Sequence, residues 1–398
     1  MIKEKLRLKP DDINYLYIAA VILIVHLLVW IFSGNWPFME NPYNSYILQA
    51  KAWCDGSFDL GRGYSHLELA EYDYRFFVSF PQFPAMVYLP LVLLGIPVCD
   101  GFIAFFVAIG GAMLCYSFLK AMAINDGRAL LISLLMTCGS NMLFVSVNSW
   151  VWFIAQNMCF TLTMGALLCA IKKKAFWANF LWACAIGCRP FQILYFPIIC
   201  MLLYHNDKSY KELLKKPYVL SGAVVMGIIY MWLNYARFGN ILEFGHNYLP
   251  EFTEAPYGQF NILYLKNNLY SLIKLPTINA KGYLEMPRFD GMNIFIASPV
   301  FAYAIYLYIK DFRFNTSYKT VALITILIEL IFIALHKTMG GWQFGNRYTN
   351  DCLPLALVII AMSNTSDTEG YTGLKFLTLY GILINICGTI MCYGELLI

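Results

Sequence analysis

Charge is what this sequence has least of. Only 13% of its 398 residues are charged and 60% are hydrophobic, against roughly 25% and 45–50% in a soluble domain. That shortage excludes an ordinary water-soluble globule. No basic run is interleaved with aromatics, which excludes a nucleic-acid groove and leaves nucleic acid out of the expected partners. The net charge of +4 is what basic cytoplasmic loops alone would produce. Twelve cysteines are present, yet there is no CxxC and no paired spacing in loops; all but Cys54 and Cys99 lie in or at the ends of apolar segments. They read as small core residues rather than as disulfides or metal ligands. With only five histidines, no HExxH and no His/Cys cluster, zinc hydrolysis is unsupported, and neither a nucleophile elbow nor a P-loop is found. Nucleotide chemistry is unsupported too, because there is no nucleotide fold with a metal-binding acidic pair. Internal repeats and low-complexity tracts are also missing.

What fills the chain instead is apolar sequence in stretches of about 18 residues or more, each long enough to cross a hydrocarbon core of roughly 30 Å as a helix. The expected segments are 13–32, 82–97, 101–119, 128–147, 150–171, 176–204, 218–236, 292–309, 320–337, 349–363 and 375–394. The expectation is therefore an all-α, polytopic, multi-pass membrane protein of ten to twelve passes, folded as one domain over residues 1–398. Lys3, Lys5, Arg7 and Lys9 precede the first segment, which lacks a small-residue cleavage site; it reads as a retained anchor with a cytoplasmic amino terminus. The connections "KKK" (172–174), "KSYKELLKK" (208–216) and "KDFR" (310–313) belong on the same side by the positive-inside rule. Segment 176–204 has cytoplasmic lysines at both ends yet is too short for two full spans, so it reads as a hairpin of half-helices with Arg189 and Pro190 at its turn. Segment 82–97, with Pro84, Pro90 and Pro97, reads as short or re-entrant. The long connections 33–81 and 237–291, together with "MGGWQFGNRY" (339–348), then fall on the extracytoplasmic side.

The scarce charges concentrate there. "HLELAEYDYRFFVSFPQFP" (66–84) packs Glu68, Glu71, Asp73 and Arg75 before an apolar run. An ionised group at membrane level costs about 2.5–3.5 kcal/mol or more, so Arg189 and Glu329 must face a cavity or a partner. Asn141, Asn148, Gln156, Asn234 and His26 suit interhelical hydrogen bonding. Most Trp and Tyr at segment ends suit the membrane interface; around Trp150, Trp152, Trp342 and Tyr348 the alternative is stacking on sugar rings.

In order and spacing, these stretches resemble the membrane glycosyltransferases of the C type (GT-C), the superfamily of the aminoarabinose transferase and the protein O-mannosyltransferases. The resemblance runs through "YILQAKAWCDGSFDL" (46–60), "LELAEYDYRFFVSFPQFPAMVYLPLVLLG" (67–95), "SVNSWVWFIAQ" (146–156), "GCRPFQILYFP" (187–197), "NYARFGNILEFGHNY" (234–248), "IASPVF" (296–301) and "GGWQFGNRYTNDCLP" (340–354). One departure stands out: where many members carry an Asp-Glu pair before the tyrosine matching Tyr46, this chain reads "FMENPYNSY", with Glu40 two or three positions early.

The resemblance implies a GT-C-like bundle whose extracytoplasmic loops carry short juxtamembrane helices. It implies a glycosyltransferase that takes a sugar from a polyprenyl-phosphate donor in the membrane lipid and gives it to an extracytoplasmic glycan or wall polymer, glycolipid or protein, in a bacterial cytoplasmic membrane. Glu68 would be the general base, followed by Glu40, Glu71 and Asp73; the alternative for these acids is to solvate a loop or pair with Arg75. Arg189 and Arg347 would hold the donor phosphate through their planar forks, with Arg237 and His246 behind them. Trp152, Gln156, Trp342 and Tyr348 would contact sugar or acceptor. Some relatives bind a divalent metal, but no ligand cluster here demands one. Two other readings remain. A transporter or lipid-linked sugar flippase would share the intramembrane charges but should show repeat symmetry; a non-catalytic assembly subunit would keep the fold without the chemistry.

Overall fold

The computed structural model describes residues 10–204, 216, 218–364 and 370–394. The basic residues before Pro10 and all but Lys216 of the 208–216 connection lie outside the described residues. The helices are α1 (Pro10–Ser33), α2 (Ser45–Cys54), α3 (Phe83–Leu93), α4 (Asp100–Ala121), α5 (Asp126–Thr137), α6 (Val151–Ile171), α7 (Ala175–Ile186), α8 (Phe196–Leu203), α9 (Tyr218–Phe238), α10 (Leu265–Ser271), α11 (Val300–Lys310), α12 (Thr316–Leu335), α13 (Leu353–Ala361) and α14 (Tyr371–Gly394). Single helical turns at Met142–Ser146, Pro250–Thr253 and Ile294–Ala297 interrupt the connections. Among the described residues, sheet is confined to two small hairpins, β1 (Leu69–Tyr72) with β2 (Arg75–Val78) and β3 (Thr277–Ile278) with β4 (Leu284–Glu285).

Among the described residues six helices, α1, α4, α6, α9, α12 and α14, are long and apolar enough to span a bilayer. The chain is an α-helical integral membrane protein. Its helices are apolar on both faces: α1 buries Ile18, Ile22, Val25 and Val29 while exposing Leu16, Leu23, Leu27 and Ile31. In water such an outer stripe would be unstable; in lipid it is solvated. The remaining expected segments are shorter than a full span. Segment 128–147 is broken into α5 and the turn at Met142–Ser146, and 349–363 holds only the nine residues of α13.

Hydrogen bonds between helix ends fix which end of the bundle each connection occupies. The Lys173 ammonium at the start of α7 donates to the Leu203 carbonyl at the end of α8, 2.7 Å away. The segment from 175 to 203 therefore returns to where it began, and α7, 12 residues and so ~18 Å long, reaches only part of the way across. At the same end the Asn315 amide donates to the Met362 carbonyl at 3.2 Å. At the other end Trp30 and Asn35 donate to the Val147 carbonyl (3.1 and 3.4 Å), and Tyr393 donates to the Phe144 carbonyl (3.1 Å).

Segment 82–97 does not cross. The Phe83 amide, at the start of α3, donates to the Gly187 carbonyl at the turn after α7 (3.0 Å), and the chain leaves α3 into Asp100, which Asn41 holds at 2.6 Å. Both ends of α3 stay at the end of the bundle opposite the lysines, where the helix packs along α2. Gly187 permits this approach, since a side chain there would collide with Tyr230 and Phe83.

The β1–β2 hairpin belongs to the same end. Tyr72 pairs with Arg75, so Asp73 and Tyr74 alone make the turn, with φ of 51° and 58°; this is the geometry of a type I′ turn, whose twist matches the strands. Ala70 and Phe77 pack on Phe238 at the end of α9.

Candidate functional site

Glu68 immediately precedes β1. Its carbonyl accepts from the Ser79 hydroxyl (3.0 Å), which fixes the backbone, and its carboxylate turns inward to accept from the indole N–H of Trp152 at 3.0 Å. Trp152 stands in the first turn of α6, braced by Tyr43 at 5.0 Å between ring centroids. Gln156, one helical turn on and so on the same face, donates to the Arg347 carbonyl at 2.9 Å.

Arg347 opens the 3-10 turn Arg347–Cys352 that leads into α13. Its guanidinium is buried, with Nε and Nη2 on the Gly340 carbonyl (3.3 and 3.1 Å), and it sits 4.7 Å above the Tyr348 ring. Arg189 approaches the same ring to 5.0 Å. Its Nε and Nη2 both contact Asp351 Oδ2 at 2.9 Å. Each guanidinium keeps Nη1 free of any protein acceptor among the described residues. Two cations thus flank one aromatic ring, with one carboxylate fixed against Arg189 and Glu68 within electrostatic reach of Arg347.

Electrostatics separate Glu68 from an ordinary surface carboxylate. Burial pushes its pKa up, the Trp152 hydrogen bond pulls it down, and the Arg347 charge pulls in the same direction as Trp152. His246 completes the wall, its ring 6.4 Å from that of His336 and 4.9 Å from Phe252. Burial, then the neighbouring His336 and Arg189, pull the His246 pKa down to about 3. An imidazole held neutral in this way is not a second cation for phosphate.

The other expected residues fall elsewhere. Glu71 and Asp73 are exposed on the hairpin, where Asp73 pairs with Arg75 at 3.5 Å. Glu40 is exposed and lines a separate groove of about 590 Å³ with Asn44, Lys51 and Asp100. Arg237 is buried, but each of its three nitrogens finds a protein oxygen: Leu233 carbonyl at 3.2 Å, Val78 carbonyl at 3.0 Å and Asn234 Oδ1 at 3.0 Å. It ties the end of β2 to α9. Trp342 packs into an aromatic cluster with Phe144, Trp150 and Tyr393.

Sequence reasoning did not single out Asp351, His336, Asn346 or Asn350. Asp351 lies within the quoted "GGWQFGNRYTNDCLP", and a lone acid entering an apolar run is itself a signal. Asn346 and Asn350 are buried, and among the described residues neither amide atom of either finds a partner; both lie close to Arg347 in sequence. Among the described residues no three His, Cys, Asp or Glu side chains converge as a metal site. With Asp351 spent on Arg189 and a second guanidinium beside it, the donor set suits an anion rather than a divalent cation.

Compared with protein-family models and with curated proteins, the chain matches none.

Proposed function

We propose that this membrane protein is a glycosyltransferase of the GT-C kind, moving a sugar from a polyprenyl-phosphate donor to the hydroxyl of an extracytoplasmic glycan, glycolipid or protein. One observation carries the reading: a carboxylate lifted by burial lies within electrostatic reach of Arg347, which approaches the Tyr348 ring together with Arg189. In the reaction the acceptor oxygen forms a bond to the anomeric carbon and passes its proton to Glu68. The bond from that carbon to the phosphate oxygen breaks, and the polyprenyl phosphate leaves with the electron pair. Charge develops on the phosphate at that moment, and Arg347 and Arg189 are the groups positioned to receive it. Asp351 orients Arg189 without neutralising Arg347. The raised pKa of Glu68 makes it a stronger base than a solvated carboxylate.

The test is transfer from a radiolabelled polyprenyl-phosphate sugar in vesicles carrying the purified protein. Glu68→Gln should abolish transfer while the lipid donor still co-purifies, as read by mass spectrometry. Full transfer by Glu68→Gln would overturn its assignment as the base. Wild-type protein that neither co-purifies with nor turns over any polyprenyl-phosphate sugar would end the transferase reading.

A further inference from the structure

The second long connection carries an apolar outer face that no helix of the bundle covers. Ile262, Leu263, Tyr270, Ile273, Ile278 and Tyr283 are each more than half exposed, although they lie outside the six long apolar helices. A cluster of this kind in water would be an aggregation hazard, and it marks a contact.

The position of the segment says with what. Asn268 of α10 donates to the Ala334 and His336 carbonyls at 3.0 and 2.7 Å, and the Asn261 amide donates to the Leu335 carbonyl at 2.9 Å. These bonds satisfy the last carbonyls of α12, so α10 is fastened to the end of a membrane-spanning helix. Along α12 the exposed residues Ile324, Leu327, Ile331 and Phe332 recur at helical spacing and form a lipid-facing stripe. The exposed residues of 262–283 belong to the segment fastened to the end of that helix. Charge follows the same logic: residues 262–290 hold Lys266, Lys274, Lys281 and Arg288 against Glu285 and Asp290. Apolar side chains with interspersed lysines are the composition of an element lying in the headgroup region of an anionic leaflet.

The inner side of the same segment meets the candidate site. Gln259 hydrogen-bonds His336 at 3.3 Å between side-chain nitrogens, the Lys337 amide donates to the Gln259 carbonyl at 2.8 Å, and Leu272 is buried against Ile333 and Met339.

We infer that residues 262–289 form a lipid-immersed flap, its outer face seated in an anionic leaflet and its inner face walling the His336 side of the site. The partner is the bilayer itself, and the inference stands apart from the transferase reading. A ligand entering on this side would arrive through lipid.

The full-length protein carrying p-benzoylphenylalanine in place of Tyr270 or Tyr283, reconstituted in phosphatidylcholine vesicles with or without phosphatidylglycerol, is irradiated and its adducts are read by mass spectrometry. Lipid adducts are expected at both positions, as at Tyr235 on the exposed face of α9, and none at Tyr74 on the charged hairpin tip. Lys266→Gln, Lys274→Gln and Lys281→Gln combined should bring the adduct yield at position 270 in phosphatidylglycerol vesicles down to the phosphatidylcholine level, since each lysine near an anionic surface is worth up to about fivefold in partitioning. Adducts to a second copy of the chain, or none at 270 and 283 while 235 reacts, would overturn the flap. A yield indifferent to phosphatidylglycerol would overturn its preference for an anionic leaflet.

Discussion

Arg237 and Arg347 are buried to nearly the same degree, at 1% and 5% exposure, and do opposite things. Arg237 is saturated: its nitrogens meet the carbonyls of Leu233 and Val78 and the Asn234 side chain, and the Gln82 amide oxygen faces the same guanidinium. Arg347 has one carbonyl, Gly340, and two aromatic faces, Tyr348 and Phe153. Burial of a charge therefore does not mark function. What distinguishes the two is unspent hydrogen-bonding capacity, because a guanidinium fully bonded to protein has nothing left for a ligand.

The sharpest way to break this contrast is to remove each in turn. Arg347→Gln should lower transfer about 100- to 1,000-fold, the usual result of deleting a donor aimed at developing charge, while thermal unfolding in detergent moves little. Arg237→Gln should do the reverse: leaving buried carbonyls without donors costs about 2–4 kcal/mol, visible as a lowered melting temperature, with turnover per folded molecule retained. Equal stability losses in the two variants would dissolve the distinction.

A smaller effect tests Glu68, the carboxylate within electrostatic reach of Arg347. Trp152 opposes the burial that lifts Glu68, so Trp152→Phe should raise the Glu68 pKa further. A base must be deprotonated to act, so the acid limb of the pH–rate profile should move to higher pH, by up to about one unit for a single hydrogen bond. A limb that stays in place, or moves to lower pH, would separate Glu68 from the proton transfer.

How much of this was legible in the sequence follows from what a bilayer does to pattern. Long spans such as α1 announce themselves through uninterrupted apolarity. The broken segments do not, because core-facing and lipid-facing residues are both apolar, and periodicity says little about where a helix stops. That is why 82–97 counts as a segment in sequence yet lies along α2 at one end of the bundle, held there by Gly187 and Asp100. The turn at Arg189 was readable because lysines bracket a stretch too short for two spans. Glu68 and Arg347 are named through the resemblance of their stretches to the GT-C pattern. Their separation from Arg237 could not be read there, since it rests on the Val78 carbonyl, brought to α9 by the β1–β2 hairpin. Asp351 was overlooked for a related reason: its meaning comes from Arg189, 162 positions away.

The smallest expected effect lies three and five residues beyond Glu68, and it bears on the contrast from the other side. Asp73 and Arg75 approach to 3.5 Å, but their side chains are 69% and 46% exposed, so water screens the pair and holding two long side chains together consumes most of the gain. Asp73→Asn should cost less than about 0.5 kcal/mol, and Glu71→Gln should leave transfer unchanged. Should Glu71→Gln instead abolish transfer, the inward turn of Glu68 toward Trp152 would lose its meaning. The working carboxylate would then be one that water already satisfies, which is the arrangement that leaves a base weakest.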